Sequence, residues 1–256
     1  MNAFRALRGL SPWFSGQRLG AWFDALAPRR CALCGDTLQA SLGGGLCLHC
    51  LHDLPGATRP RCRHCGQATQ APAPACTGCA GDPMLAALDG TLVVADYAPP
   101  LDRVITRLKF HSDLALAQTL GELLALRWAG ETAPPRLDHL IPVPLASGRL
   151  AERGFNQSLE LARALRARLA RSVHVGSLLP RTLVRAQIRP AQVGLDLEAR
   201  RANLAGTFVC NTGLEGRSVA VIDDVMTTGS TLGEAARALK AAGALRVVAL
   251  VVARAA

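Results

Sequence analysis

Lysine and aromatic residues are both scarce in this chain: only Lys109 and Lys240 are lysines, and aromatics make up 4% of the sequence, with a single tyrosine. Few aromatics leave few platforms on which nucleic-acid bases could stack. No apolar stretch approaches the ~20 residues that cross a bilayer. The segment Met1–Pro28 begins basic, but Arg18 and Asp24 interrupt the ~7–15 apolar residues a secretory leader needs. A cytoplasmic protein without a membrane span is expected.

What remains is an Ala/Leu/Val-rich chain of 256 residues, half of it hydrophobic, long enough for one large domain or two smaller ones. The formal charge of +10 invites a nucleic-acid partner but needs discounting. Two zinc ions, each held by four thiolates, would remove about four units and leave roughly +6. That balance is compatible with a phosphate-bearing partner and does not establish one.

Three regions separate by pattern. In residues 1–28, Trp13/Phe14, Leu19, Trp22/Phe23 and Leu26 recur at helical spacing, which predicts a short amphipathic helix packed on its own protein rather than on a membrane surface. Residues 29–82 are rich in Cys, Gly and Pro, with too little apolar side chain for a core of their own. From residue 87 to 256, strands and helices alternate. Thr91–Tyr97, His139–Val143, Ser218–Ile222 and Arg246–Val252 read as strands, Val173–Leu178 as a weaker one. Helical patterns cover Leu101–Phe110, Leu114–Trp128, Arg149–Leu169 and Thr231–Ala242. Near-continuous apolar strands between amphipathic helices predict an α/β fold with a parallel sheet covered on both faces.

Eight of the nine cysteines form CxxC pairs: Cys31/Cys34, Cys47/Cys50, Cys62/Cys65 and Cys76/Cys79. Two such turns complete a tetrahedron of thiolates. Sequential grouping gives one zinc to Cys31, Cys34, Cys47 and Cys50 and the other to Cys62, Cys65, Cys76 and Cys79, a double zinc ribbon. Gly35 and Gly66 suit the tight knuckle turn that aims N–H groups at sulfur. A disulfide scaffold needs an oxidising compartment, and a redox pair belongs at a strand–helix junction. Iron also takes four cysteines, so the metal's identity stays open while zinc is favoured. His49, His52 and His64 are expected as surface residues, and Cys210 as a small buried apolar one.

The most informative segment is Val219-Ala-Val-Ile-Asp-Asp-Val-Met-Thr-Thr-Gly-Ser-Thr231. Four apolar residues make a buried strand. Asp223 and Asp224 follow at its C-terminal end, where ligands sit in open α/β sheets. The hydroxyl-rich turn Thr227-Thr228-Gly229-Ser230-Thr231 then leads into a helix whose dipole and N–H groups stabilise a phosphate. Gly229 lets the backbone approach the oxygens. The two carboxylates are suited to accept hydrogen bonds from vicinal ribose hydroxyls. A Ser/Thr helix cap would explain Ser230 or Thr231, but not two acids closing an apolar strand.

These thirteen residues resemble the phosphoribosyl pyrophosphate motif of type I phosphoribosyltransferases. The resemblance implies that Asp223 and Asp224 contact the ribose 2′ and 3′ hydroxyls, that Thr227, Thr228, Gly229, Ser230 and Thr231 wrap the 5-phosphate with Val225 and Met226 completing the phosphoribosyl-binding segment, and that magnesium accompanies the pyrophosphate. Ile141-Pro-Val-Pro-Leu145 followed by Arg149, Arg153, Gly154, Phe155, Asn156 and Gln157 is similar to the pyrophosphate-loop region of the competence protein F (ComF) family. Gln192-Val-Gly-Leu195 with Arg200, Arg201, Asn203, Gly206 and Phe208 resembles that group's mobile-loop region, and Leu108-Lys-Phe110 is likewise similar. The family resemblance implies a type I phosphoribosyltransferase-like sheet behind a zinc ribbon, and a role in DNA uptake during natural transformation, with single-stranded DNA and a DNA-uptake helicase as partners. Relatives of the same architecture linked to sugar-acid use leave the pathway open.

Arg149 and Arg153, four apart on one helical face, and Arg200 and Arg201 form a candidate clamp for pyrophosphate oxygens. Solvated arginines on ordinary helices are the competing reading. Displacement at the ribose C1 needs positioning and leaving-group stabilisation more than a nucleophile or base, so no triad would reveal it. An acceptor pocket is the missing part: Thr91–Phe110 offers no evident base-reading group. Catalysis on an unidentified base or amine is therefore left open beside a nucleic-acid-binding role.

Overall fold

The computed structural model describes residues 30–38, 45–132, 134, 136–170, 175–186 and 206–255. Elements follow in the order α1 (Leu48–His52), β1 (Gly90–Asp96), α2 (Leu101–His111), α3 (Leu114–Ala129), β2 (Leu137–Pro142), α4 (Ser147–Arg153), α5 (Gln157–Arg168), β3 (Val175–Leu178), β4 (Leu183–Arg185), β5 (Phe208–Cys210), β6 (Ser218–Met226), α6 (Ser230–Ala241) and β7 (Arg246–Arg254). Five strands form a parallel sheet in the order β1-β7-β6-β2-β3, while β4 and β5 make a separate antiparallel pair. The chain leaves β2 for the outer strand β3 but leaves β6 for β7 on the other side. That reversal puts a topological switch point between the C-terminal ends of β2 and β6, the crevice where open α/β sheets bind ligands.

The strands are apolar on both faces because both faces are covered. Leu92, Val94, Ile222 and Leu250 pack with Ile105, Leu120, Leu124 and Leu161 of the helices on one side. Val93, Val221 and Val251 pack with Leu232, Ala236 and Leu239 of α6 on the other. The helices α3 and α5 approach closely, since a Cβ on Gly121 would lie 2.5 Å from that of Ala164.

The cysteine-rich segment is not a separate body. Cys31, Leu46 and Leu54 complete the first cluster, whereas Cys62, Cys65, Cys79, Leu85 and Leu88 complete the second. The two ribbons thus lie against opposite faces of one sheet. They also cover its β1 edge: Thr91 N–H donates to Arg63 O (2.8 Å) and Asp96 N–H to Pro55 O (2.6 Å). Arg61, with its side chain 9% exposed, adds a 2.7 Å ion pair to Asp96.

Two expectations need correcting, and one strand pair is unforeseen. The helix read over Arg149–Leu169 is two helices, because Gly154 takes φ 75° as the left-handed cap of α4 and Asn156 caps α5 through its side chain on Ser158 N–H. The strand read as Ser218–Ile222 runs on to Met226, held by pairing with β7 through Met226 and Arg254. The three-residue strands β4 and β5 are too short to leave a periodic signal. The expected helix around Trp13–Leu26 lies outside the described residues. No helix among the described residues is long and apolar enough to cross a membrane.

Candidate functional site

The two sulfur clusters are grouped as the spacing required, with all ligand atoms of each set within 4.8 Å of one another. Cys34 and Cys47 sulfurs are 3.7 Å apart, Cys62 and Cys79 3.6 Å, Cys65 and Cys76 3.7 Å. A tetrahedron with Zn–S of about 2.3 Å has edges of about 3.8 Å, and these separations match it. Gly35 and Gly66 do adopt positive φ (79° and 72°), but their N–H groups donate to the carbonyls of Cys31 and Cys62. N–H groups of other residues are directed at sulfur, among them Cys47 on Cys31 and Cys50 on Cys47, each at 3.4 Å, and Gln67 on Cys65. Burial, then the neighbouring sulfurs, pushes the Cys50 thiol up, a penalty that a bound cation removes. His49 and His52 are exposed beside Asp53 and outside both sets. Cys210 is only part-buried, its thiol donating to Thr212 O at 3.1 Å. Metal analysis of protein purified without chelators is expected to give two zinc per chain; one or none would contradict the paired sites.

At the switch point, the end of β6 carries both acids. The Asp223 carboxylate accepts from Ser158 Oγ (2.9 Å) and from the N–H of Asp224 (2.9 Å). Burial, and next the charge of Asp224, raises the Asp223 carboxyl from its ordinary 3.8 to about 7. Asp224 is 4% exposed, and the Lys109 ammonium from α2 lies 3.1 Å from its Oδ2. The turn beyond is open: Thr227 and Thr228 are exposed and Ser230 and Thr231 part-exposed. Gly229 caps α6 at φ 85°, and the Thr228 and Ser230 hydroxyls are 3.0 Å apart. Val225 is part-buried against the core, and Met226 is 1% exposed and props the turn from below.

The turn rests on the second ribbon's downstream segment. A Cβ on Gly229 would meet Leu85 at 2.6 Å, and one on Gly233 would lie 1.6 Å from Met84 O. Arg254 ties the same region together, donating from Nε to Cys65 O (3.1 Å) and from Nη1 to Met226 O (3.2 Å), Thr227 O and Ala255 O.

Basic side chains lie around the opposite wall. Arg149 is exposed on α4, while Arg153 ends that helix with its guanidinium 5.3 Å from the Phe110 ring centre. Arg200 and Arg201 lie outside the described residues. Ser158 and Arg185 carry no expectation from the sequence, and Lys109 and Asn156 enter there only within the family-like segments, with no role assigned. Asn156 Nδ2 donates to Val143 O (3.0 Å), fixing the end of β2. Arg185 donates to Pro144 O (3.1 Å) and stacks on Phe208. Its pKa is lowered by burial and then by Arg149, with Asp223 pulling it back up. Lys109 could have been found from Leu108-Lys-Phe110, as one of two lysines in an arginine-rich chain, but its pairing to Asp224 has no local signature.

Family models match this chain twice, as a double zinc ribbon domain over residues 22–80 and a phosphoribosyl transferase domain over residues 161–256. It is 34% identical over 220 residues to competence protein F of Haemophilus influenzae, covering 84% of this chain and 92% of that one. The chain belongs to the competence protein F family. Within that family it is also 32% identical to the DNA utilization protein YhgH of Salmonella typhi, over 86% of this chain and 94% of that relative. Among solved structures, the allosteric regulatory enzyme of purine biosynthesis overlaps 53% of this chain and 25% of its own, at a TM-score of 0.36 and 18% identity. The sheet, the family models and the two sulfur clusters together make this a phosphoribosyltransferase-type α/β fold with a double zinc ribbon.

Proposed function

We propose that the crevice between β2 and β6 binds phosphoribosyl pyrophosphate or a related ribose 5-phosphate group, and that this family member acts with single-stranded DNA in DNA uptake. The observation that carries the reading is the open Thr227–Thr231 turn at the start of α6, set directly after two carboxylates at the switch point. In this reading the turn's N–H groups and hydroxyls hold the 5-phosphate, and Asp223 takes a ribose hydroxyl. Asp224 reaches the neighbouring hydroxyl once Lys109 shifts from its carboxylate. Arg149 and Arg153 meet the pyrophosphate, joined by Arg200 and Arg201 from the segment between β4 and β5. Magnesium would neutralise pyrophosphate oxygens. The names of the relatives, competence and DNA utilization proteins, support the DNA role, as does the surplus of arginine. A helicase of the uptake machinery is the expected protein partner.

Calorimetry with ribose 5-phosphate and magnesium tests the site. One binding event per chain is expected, abolished by Asp223→Ala with Thr228→Ala; no heat with any phosphorylated pentose removes the reading. Binding of a single strand should fall with salt and with the same double substitution. Unchanged strand binding in that variant would assign it to diffuse arginine contacts instead. A second reading, transfer of the phosphoribosyl group to a base or amine, is favoured by the intact acid pair and hydroxyl turn. It is tested by isotope transfer from labelled phosphoribosyl pyrophosphate to a panel of acceptors, with hydrolysis alone counting against it.

A further inference from the structure

Aromatic side chains are few here, yet one stands at the mouth of the crevice. Phe110 is 63% exposed near the end of α2, a helix that buries Leu101, Val104, Ile105 and Leu108 on its other face. Two ties place this ring beside the acids. Its neighbour Lys109 reaches Asp224 at 3.1 Å. On the other side, Arg153 lies over the ring, and the residues after Arg153 enter the crevice, with Asn156 on Val143 O and Ser158 on Asp223.

An isolated surface phenylalanine needs no explanation. This ring differs because a cation backs it: the Arg153 guanidinium sits 5.3 Å from its centre, with Nε buried and no hydrogen-bond partner in reach. Stacking on an aromatic ring holds the guanidinium without hydrogen bonds. Phe110 itself has no polar atom with which to reward solvent exposure. A planar, electron-poor ring laid on it would complete the stack, and nucleobases stack this way without regard to sequence.

We propose that Phe110, backed by Arg153, is a stacking platform for a nucleobase carried beside the sugar phosphate. The proposal rests on the crevice being a sugar-phosphate site and names the group that site receives next to it. The base could belong to a free nucleotide or to a DNA strand, and the chemistry at the ring is the same.

The test compares wild type, Phe110→Ala and Phe110→Trp with three probes: ribose 5-phosphate, AMP and a short oligodeoxythymidylate alongside its abasic counterpart. Phe110→Ala is expected to weaken AMP about tenfold, as the loss of one stacked base implies, and to leave ribose 5-phosphate within about twofold. Phe110→Trp should restore AMP binding and show indole fluorescence quenched by the base. Loss confined to the base-bearing oligonucleotide assigns the platform to DNA, and loss confined to AMP assigns it to free nucleotides. Equal weakening of AMP and ribose 5-phosphate, or no weakening of any base-bearing probe, overturns the proposal. If wild type ignores ribose 5-phosphate, the crevice reading fails on its own, and the oligonucleotide pair still decides whether Phe110 stacks a base.

Discussion

Asp223→Asn is expected to stabilise the ligand-free protein above neutral pH while weakening its sugar-phosphate binding. In the folded chain, burial and the charge of Asp224 raise this carboxyl from 3.8 to about 7. Between those values the native state keeps a proton that the unfolded chain releases, so stability falls as pH rises from 3.8 through 7. The group's contribution is intact below the lower value and lost above the upper one. A neutral asparagine, still able to accept from Ser158, escapes that loss, worth up to about 4 kcal/mol at pH 8. Denaturant unfolding of wild type and variant at several pH values should show a gap that is widest at pH 8 and narrows below pH 7. A variant less stable than wild type at pH 8 would place the strained charge elsewhere. Calorimetry on the same variant should show ribose 5-phosphate binding weakened about 30-fold, the loss of one charge-assisted hydrogen bond. Stability and binding would then move in opposite directions at one side chain, as expected where a charge is kept for ligand rather than for the fold.

Gly233→Ala should be the most damaging single-methyl change near the site. The added Cβ would stand 1.6 Å from the carbonyl oxygen of Met84 and 2.8 Å from its carbon. Backbone cannot turn aside as a side chain can, so α6 must lift away from Met84 and Leu85 and take the Thr227–Thr231 turn with it. Overpacking of this kind costs about 3 kcal/mol, a fall in Tm of roughly 10 °C for a domain of this size. Ribose 5-phosphate affinity should fall at least about tenfold although no atom facing the ligand has changed. Gly148→Ala is the control, since nothing lies within 4 Å of that position on α4. Alanine there should be neutral or stabilise by up to about 1 kcal/mol. Thermal unfolding of the two variants checks both statements, and a Gly233→Ala protein as stable as wild type would mean that α6 does not rest on Met84 as described.

Much of this was legible in the chain itself, and the reasons are local. CxxC pairs fix their own geometry within four residues, so the spacing alone groups all eight cysteines. The Val219–Thr231 segment likewise carries strand, acids, turn and cap in one stretch. Where the reading fell short, the deciding contact was distant or the signal was overridden. Aspartate disfavours strands, which ends the predicted strand at Ile222, but pairing with β7 carries β6 to Met226. Gly154 and Asn156 are an ordinary stop and start, masked by an amphipathic pattern that continues across them. Lys109 meets Asp224, and Arg254 meets Cys65, across stretches that no periodicity spans. Phe110 stands in the Leu108-Lys-Phe110 segment, but a lone aromatic carries no stacking pattern in sequence; the Arg153 guanidinium over it exists only in the fold. The cysteine-rich segment is poor in apolar side chains; what its composition does not state is that those few line the sheet's own core.

The hydrogen bonds from Thr91 to Arg63 and from Asp96 to Pro55 give the metal a duty beyond holding loops. They shield the outer border of β1, whose Leu92-Val-Val-Ala95 core is the kind of sequence that recruits copies of itself once bare. Stripping the thiolates should therefore cloud the solution: chelator-treated samples are expected to be lost as precipitate, detected by light scattering, before their helices melt.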